Sequence, residues 1–317
     1  MHMISEQTEH FSILGAGGSI GIPLTIELLK NKKSVRLVSR TNSPWPGAES
    51  VQADLTSAQQ TSDAVKGTHV AVLCAGLPYR TKVWSELWPQ VMSNAIEACK
   101  RHKAKLIFLD NVYMYGKVNG TMTEETRYNP CSRKGEIRAK IAVQLMKEAH
   151  EGKLQAIIAR AADFYGPYAT RNSVPYLLVI DKLRKGGKAQ WLVNPEAMHS
   201  YSYTVDCAKA LALLAAQPES FNQIWHLPTA HPPIDGKTFI GLAAKALGVE
   251  PRYSVLSKWM IRLAGLTNTN IRESYEMLYQ SEYDYDFDSS KFEKRFRYSP
   301  MPYPQGIAET VRSKAEK

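Results

Sequence analysis

The sequence predicts an α/β fold, a Rossmann-type doubly wound parallel sheet with a smaller C-terminal lobe that binds substrate. In the first half of the 317-residue chain, apolar runs of strand length alternate with segments that carry apolar residues at helical spacing. Such alternation is typical of right-handed β–α–β crossovers. A glycine-rich stretch directly follows the first apolar run, and the length accommodates one large and one smaller domain.

The elements follow in a regular order up to residue 161. We expect strands at 10–14, 34–39, 51–53, 70–74, 106–110 and 156–161, and helices at 23–30, 57–66, 83–101 and 133–150. Beyond residue 166 the pattern is less regular, but a helix at 206–216 and a strand at 223–227 are expected to return to the sheet. We therefore assign 1–165 with 201–228 to a dinucleotide-binding domain, and 166–200 with 229–317 to the substrate lobe.

The turn between the first strand and the first helix has the spacing G-x-x-G-x-x-G. Its glycines are Gly15, Gly18 and Gly21, and Ile20 stands where the last glycine of the commoner G-x-G-x-x-G would fall. A strand that enters a helix through such a turn exposes amide N–H groups at the helix N-terminus, where a pyrophosphate is favoured. We predict that these residues and Ser19 bind a dinucleotide; an ordinary tight turn is the alternative.

Residues after the next strands are expected to meet the rest of the cofactor, because ligands of such sheets lie at the carboxyl ends of the strands. Arg40 follows the second strand, where an acid would bind the ribose hydroxyls. An arginine can grip a 2′-phosphate, so we predict NADP, with NAD possible, against the alternative of a surface arginine. Asp54 and Leu55 follow the third strand and are expected beside the adenine.

Small residues end the fourth strand. Cys74, Ala75 and Gly76 would allow the backbone to approach the cofactor closely. Tyr79 follows them, and it either faces the substrate or packs under the lobe.

Composition excludes several classes of protein. No apolar run approaches the roughly 20 residues that span a bilayer, so we expect no membrane partner and a cytoplasmic location. The net charge of +10 is scattered in short groups at expected helix ends, which argues against nucleic acid and favours an anionic cofactor.

Four separated cysteines offer no metal-ligand spacing. The acids of 284–288 lack the glycine and glutamate of a calcium loop, so no metal is predicted.

Several motifs together resemble one family. They are the glycine turn, Tyr115-Gly116 after the fifth strand, the segment 160–167 (RAADFYGP, similar to R-x-x-N-V-Y-G-P), and a later segment with Asp206 and Ala208. The chain resembles, over nearly its whole length, the extended short-chain dehydrogenase/reductases of the NAD-dependent epimerase/dehydratase group. The resemblance implies an oxidoreductase or epimerase that acts on a carbonyl or alcohol carbon of a small substrate. It also implies a homodimer paired through the helices at 83–101 and 133–150.

The family's reaction uses a serine or threonine, a tyrosine that transfers a proton, and a lysine four residues after the tyrosine. Alignment on Tyr115-Gly116 puts Asn111 at the serine position, Glu136 at the tyrosine position and Lys140 at the lysine position. The resemblance implies that Lys140 anchors the nicotinamide ribose; a solvated basic helix face is the alternative. Asn111 can still donate a hydrogen bond, whereas Glu136 would have to be held protonated by burial.

Three further side chains fall where the family's site is expected. Tyr113 either donates a proton or packs for bulk, and Tyr165 leaves the sixth strand near the substrate. His199 stands where sugar-nucleotide members carry an arginine that helps hold the diphosphate, and a neutral imidazole grips phosphate weakly. A nucleotide sugar is therefore less expected, unless other basic residues compensate. With the usual serine and tyrosine absent, the competing hypothesis is an inactive protein that binds and senses NADP.

Overall fold

A computed structural model of the protein describes residues 9–41 and 44–313. Most of its strands are short. They are β1 His10–Leu14, β2 Ser34–Ser39, β3 Glu49–Gln52, β4 Val70–Leu73, β5 Lys105–Asp110, β6 Thr121–Met122, β7 Ala156–Arg160, β8 Asp163–Tyr165, β9 Ala189–Leu192, β10 Tyr201–Tyr203, β11 Gln223–His226, β12 Tyr253–Leu256 and β13 Asp286–Phe287.

The helices alternate with these strands in the first half of the chain. They are α1 Gly21–Lys30, α2 Ala58–Val65, α3 Thr81–His102, α4 Arg133–His150, α5 Asp181–Arg184, α6 Thr204–Ala216, α7 Gly236–Leu247, α8 Lys258–Thr267, α9 Thr269–Ser274, α10 Tyr279–Glu282, α11 Ser290–Phe296 and α12 Tyr303–Arg312. A 3₁₀ turn at Tyr113–Tyr115 follows β5. Within the described residues, no helix has both the length and the apolar content needed to cross a lipid bilayer.

Seven parallel strands form the central sheet, in the order β11-β7-β5-β4-β1-β2-β3. All residues of β4 and β7 are buried, as expected for parallel strands that are covered by helices on both faces. Helices α2, α3 and α4 pack on one face, and α1 and α6 on the other. The strand order reverses between β1 and β4, so the turn after β1 lies beside the ends of β4 and β5.

The predicted doubly wound parallel sheet is therefore confirmed, and the boundaries predicted for its strands and helices agree with the observed ones to within two residues. The strand β11 joins the sheet next to β7, and α6 packs against α1, as the sequence predicted for these two elements. The proposed division into two domains remains a prediction. A separate aromatic core joins Tyr165 and Tyr201, from the predicted dinucleotide-binding domain, to Phe239 and Tyr303 of the predicted lobe.

Helix α4 approaches the turn after β5 very closely. A Cβ atom at Gly135 would lie 2.5 Å from the carbonyl oxygen of Tyr113, so this contact requires a glycine. The Ser132 hydroxyl caps the helix by accepting a hydrogen bond from the Gly135 N–H at 3.0 Å. The cap and the close contact together fix the rotation of α4 about its axis.

A buried row of hydrogen bonds connects the sheet with the C-terminal part of the chain. An Arg160 Nη1–H donates to the Tyr115 hydroxyl at 2.6 Å, and this hydroxyl lies 2.8 Å from Nε2 of His226. His226 Nδ1 lies 2.8 Å from the carbonyl oxygen of Asp288, which can only accept. His226 therefore carries its proton on Nδ1 and accepts from Tyr115 at Nε2. Burial lowers the pKa of His226 to about 3.

Substitution Gly135→Ala should destabilise the protein by about 1–3 kcal/mol, because the new methyl group displaces the Tyr113 carbonyl or the helix. The matched control is Gly241→Ala in α7, where a Cβ would meet no atom within 4 Å. That change should stabilise by roughly 0.5–1 kcal/mol, because alanine favours a helix interior. Urea unfolding of both variants measures the two changes in unfolding free energy, which should have opposite signs. Equal losses of unfolding free energy in the two variants would contradict the close contact.

The stability should fall at mildly acidic pH because of His226. Its pKa is depressed to about 3 in the folded state. As the pH falls, the unfolded chain therefore binds a proton at His226 near the ordinary pKa of about 6.5, whereas the native state binds it only near pH 3. The stabilisation is complete above about pH 6.5 and is lost as the pH falls towards 3. Between about pH 7.5 and about pH 5, wild type should lose about 2 kcal/mol more unfolding free energy than His226→Gln. Parallel losses in the two proteins would refute this role.

Candidate functional site

The glycine turn is built by two contacts that only glycine allows. Gly15 has φ +101°, and a Cβ there would lie 2.4 Å from the Cα of Ala75. A Cβ at Gly21 would lie 2.3 Å from the carbonyl oxygen of Ala16. These two glycines let the turn pack against the end of β4 and let α1 begin close to β1.

Gly18 is different, because the fold itself has room for a side chain there. The nearest atoms to a Cβ at Gly18 would be the carbonyl oxygens of Gly15 at 3.6 Å and Cys74 at 3.9 Å. Helix α1 starts after Ile20 without a side-chain cap. A small residue that packing does not require, beside an uncapped helix N-terminus, fits a pyrophosphate group. The residues present therefore fit a dinucleotide.

The other predicted cofactor residues line the same edge of the sheet. Ala75 is half-buried and Gly76 exposed, while burial raises the pKa of the Cys74 thiol to about 12 and keeps it protonated. The Ser19 hydroxyl donates to Oδ1 of Asn172 at 2.7 Å. This bond ties the turn to the segment 166–200 of the predicted lobe.

Arg40 and Asp54 lie near each other at the ends of β2 and β3. The Thr56 backbone N–H and hydroxyl donate to Oδ1 of Asp54 at 2.9 and 2.8 Å, which lowers the pKa of that carboxyl, and the positive charge of Arg40 lowers it further. Arg40 itself is exposed. Leu55 is half-buried, and its carbonyl oxygen accepts from Asn94 at 2.9 Å.

Asn111 and Tyr113 form the turn after β5. The Asn111 Oδ1 accepts from the Tyr113 backbone N–H at 3.0 Å, so the amide nitrogen is its remaining side-chain donor. The Tyr79 hydroxyl lies 3.4 Å from that of Tyr113, and the Trp84 ring stacks on Tyr113 at 6.3 Å. Burial, with a smaller contribution from the charge of Asp163, raises the pKa of Tyr113 to about 12. Its phenol is therefore a proton donor at neutral pH.

The rotation of α4 corrects the predicted register of the helix by two residues. Glu136 and Lys140 are exposed, on the same face as Val143 and Lys147. Lys134 and Arg138 are buried on the inner face, two positions earlier. The close contact of Gly135 with the Tyr113 turn is the physical reason. Glu136 and Lys140 are therefore not brought together with Asn111 and Tyr113.

Lys134 is fully buried in a network that reaches the C-terminal part of the chain. Its ammonium donates to the Thr81 hydroxyl at 3.0 Å, the Glu273 carboxylate at 3.0 Å and the Glu276 carboxylate at 2.9 Å. Burial alone would raise the pKa of Glu273, but the bonds from Lys134 and Thr81 outweigh it and lower this pKa to about 2. The ammonium also lies 4.7 Å above the ring of Tyr79.

Arg138 belongs to a second buried ionic cluster. Its Nε–H donates to Oδ1 of Asp110 at 2.7 Å, and Nε of Arg160 lies 3.6 Å from Oδ2 of the same carboxylate. The Arg138 guanidinium also lies 4.5 Å from the Trp88 ring centre and 4.7 Å from that of Phe108. Both arginines and the carboxylate are almost completely excluded from solvent.

The two remaining predicted substrate residues lie in different surroundings. Tyr165 is 1 % exposed and packs against Tyr203, Phe239 and Tyr303, which corrects the prediction of a substrate contact. His199 lines a cavity, and its Nε2 lies 3.1 Å from Oδ2 of Asp163. Tyr79 both packs on the core and touches Tyr113, so the two alternatives for it are not exclusive.

Sequence reasoning missed four residues that shape the site: Asp110, Lys134, Arg138 and Asp163. A usable signal exists for α4, because Lys134 and Arg138 share a helix face with the buried Ile137, Ile141 and Leu145. The partner of Lys134 lies 139 positions away in the sequence, and no local pattern indicates it.

Solved structures show the same fold at low sequence identity. A dTDP-glucose 4,6-dehydratase from Bacillus anthracis in complex with NAD has a TM-score of 0.80, 15 % identity and 96 % coverage of both chains. DesIV, a dTDP-glucose 4,6-dehydratase from Streptomyces venezuelae, has a TM-score of 0.79, 18 % identity and 96 % coverage of both chains. A UDP-glucuronic acid 4-epimerase from Bacillus cereus with NAD has a TM-score of 0.78 and 17 % identity, covering 96 % of this chain and 99 % of that one.

No curated protein sequence matches this chain. The model of the NAD dependent epimerase/dehydratase family matches residues 11–227, which is more than half of the chain. This match covers the glycine turn, the Asn111 turn and the cavity residues Asp163 and His199. It confirms the resemblance seen in the motifs, and the chain belongs to the NAD-dependent epimerase/dehydratase family.

Proposed function

We propose that this protein is an NADP-dependent oxidoreductase or epimerase that acts on a carbonyl or alcohol carbon of a small substrate. The observation that carries the proposal is the Asn111–Tyr113 turn. It presents an amide donor and a protonated phenol at the end of β5, in the same row of strand ends as the glycine turn. The family match supports the nicotinamide cofactor.

The cofactor would be held by the chain's own backbone and by two basic or polar positions. Gly15, Gly18, Ser19 and the first amides of α1 would bind the pyrophosphate. Arg40 would pair with the 2′-phosphate, and its exposed position beside Asp54 supports this. The bound nicotinamide would supply hydride transfer. NADP rather than NAD is our proposal; the three solved neighbours named above are complexes with NAD.

The substrate oxygen would lie between Asn111 and Tyr113. The Asn111 amide donates one hydrogen bond, and the Tyr113 hydroxyl donates the second and transfers its proton as negative charge develops on that oxygen. The Tyr79 hydroxyl, 3.4 Å away, stabilises the resulting phenolate by donating to it. The inward residues of α4 do not take part in the proton transfer, because Lys134 and Arg138 are held in ion pairs.

The same ion pairs favour a second function, a binding protein without turnover that senses NADP. The two inward residues of α4, Lys134 and Arg138, are held in buried ion pairs with Glu273, Glu276 and Asp110. A sensor needs the glycine turn and Arg40 but has no use for the Tyr113 hydroxyl. The two functions therefore differ in what the removal of this hydroxyl does.

We also propose a homodimer that pairs through the exposed faces of α3 and α4. Support comes from the outer face of α4, where Val143 is 56 % exposed beside Glu136 and Lys140.

Substitution Tyr113→Phe should slow hydride transfer at least about 100-fold, because it removes the proton donor and leaves the ring packing. The rate is measured as the loss of NADPH absorbance with a panel of phosphate-free aldehydes and ketones. Asn111→Ala should slow the reaction and raise KM.

The controls are Glu136→Gln and Lys140→Gln on the exposed face of α4, and both should keep the wild-type rate and cofactor affinity. A reduced rate of hydride transfer in Glu136→Gln would support the register of α4 predicted from the sequence and contradict the corrected one. If the wild-type protein binds NADPH but reduces no member of the panel, the result supports the sensor hypothesis and contradicts the proposed enzyme activity.

The affinity for NADPH should fall about tenfold in Arg40→Ala, whereas the affinity for NADH should not change, because only NADPH carries the 2′-phosphate. Fluorescence titration with the two coenzymes measures this, and NADH serves as the internal control. A wild-type preference for NADH, or equal losses for both coenzymes, would contradict the NADP proposal.

A further inference from the structure

The cavity beside His199 is lined by both apolar and polar side chains. The apolar ones include Val174, Leu178 and Trp191, and the polar ones include Gln190, Asn194 and Ser281. An apolar lining with a few polar groups is typical of a small-molecule site. A ligand that fills it needs an apolar body and a few hydrogen-bonding groups.

Asp163 provides the charge of this cavity. Among the described residues that line it, Asp163 is the one acid, and there is no lysine or arginine. Its side chain remains 36 % exposed although its Oδ2 lies 3.1 Å from Nε2 of His199. The described lining therefore offers a carboxylate acceptor and no lysine or arginine that would hold an anion. A phosphate or carboxylate would be repelled there.

The Asp163–His199 pair is held rigidly in place. The His199 ring stacks between Tyr201, at 4.5 Å, and Tyr285, at 4.3 Å with an angle of 5° between the rings. Its backbone N–H donates to the Ile234 carbonyl oxygen at 3.0 Å. Asp163 is the strand neighbour of Tyr201 in the β8–β10 pair. These contacts fix Nε2 of His199 at the Asp163 carboxylate, and a movement of the carboxylate would break this hydrogen bond.

Arg184, one basic residue that could compensate for the charge, is already engaged. It donates to the Tyr176 hydroxyl at 2.8 Å and to the Val311 carbonyl oxygen. The cavity is linked to the Asn111 turn through the sheet, because the Ala161 N–H donates to the Asp110 carbonyl oxygen at 3.1 Å, two residues before Asp163 and one before Asn111. A small molecule in the cavity could place its reacting carbon at Tyr113.

We propose that this cavity is the substrate subsite and that Asp163 selects its ligands. The ligand carries a hydroxyl or a protonated amine that donates to Asp163, together with an aromatic or aliphatic body that packs on Trp191 and Leu178. Phosphorylated and carboxylated molecules, nucleotide sugars included, are excluded. This inference rests on the proposed function for the position of the reaction but not for the binding itself.

The test uses three probes that share one body and differ in charge: 2-phenylethylamine, 2-phenylethanol and phenylacetate. Their affinities are measured by calorimetry for the full chain, with and without saturating NADP. The amine should bind about tenfold more tightly than phenylacetate, because a charge-assisted hydrogen bond to a half-exposed carboxylate gives a preference of about that size. The alcohol should be intermediate, and UDP-glucose should show no binding in the cavity.

Substitution Asp163→Asn should reduce the amine-to-acid ratio to about one, because the amide keeps an acceptor for His199 but not the charge. The matched control is Glu196→Gln, which removes an equal charge from a nearby acid that is 72 % exposed and pairs with Lys237 outside the cavity. The control should keep the wild-type ratio. Thermal melting shows whether the variants fold, and the wild-type order of the three probes tests the inference even if they do not.

Tighter binding of phenylacetate or UDP-glucose than of the amine, or the same ratio in Asp163→Asn as in wild type, would overturn the inference. Failure of the proposed function looks different. In that case NADP does not bind, or Tyr113→Phe has no effect, while the order of the three probes is unchanged.

Discussion

The carboxylate of Asp110 holds the active half of this molecule together. It lies at the end of β5, opposite Arg160 of β7 in the sheet register, and it accepts a hydrogen bond from Arg138 of α4. One acid thus joins two strands and a helix in a region closed to solvent. A buried charge that loses its partner costs several kcal/mol, so each of these three elements is fixed relative to the others.

This arrangement changes what α4 contributes. In the family that the chain belongs to, the resemblance implies a helix that presents a tyrosine and a lysine to the substrate. Here the inward positions carry Lys134 and Arg138, and both serve ion pairs that stabilise the fold. The proton donors that remain lie on the turn after β5 and at the end of β4, in Tyr113 and Tyr79. The chemistry we propose has moved from the helix to the adjacent loops.

The sheet and the glycine turn were predictable because their signals are local. An apolar run followed by closely spaced glycines indicates a strand, a turn and a helix without reference to the rest of the chain. The register of α4 was not predictable in this way, because counting from Tyr115-Gly116 assumes a fixed length for the loop between 116 and 133. Gly135 decides the register through a contact with Tyr113 that is distant in the sequence. The burial of Lys134 likewise depends on a distant partner, a glutamate of α9. Tyr165 faces the core because it packs against helix α12, which is also distant in the sequence.

The ammonium of Lys134 ties α9 to the first turn of α3 through Thr81, Glu273 and Glu276. A motion that separated α9 from α3 would leave this buried ammonium without its partners, which costs several kcal/mol. Small molecules must therefore enter and leave while these two helices stay joined.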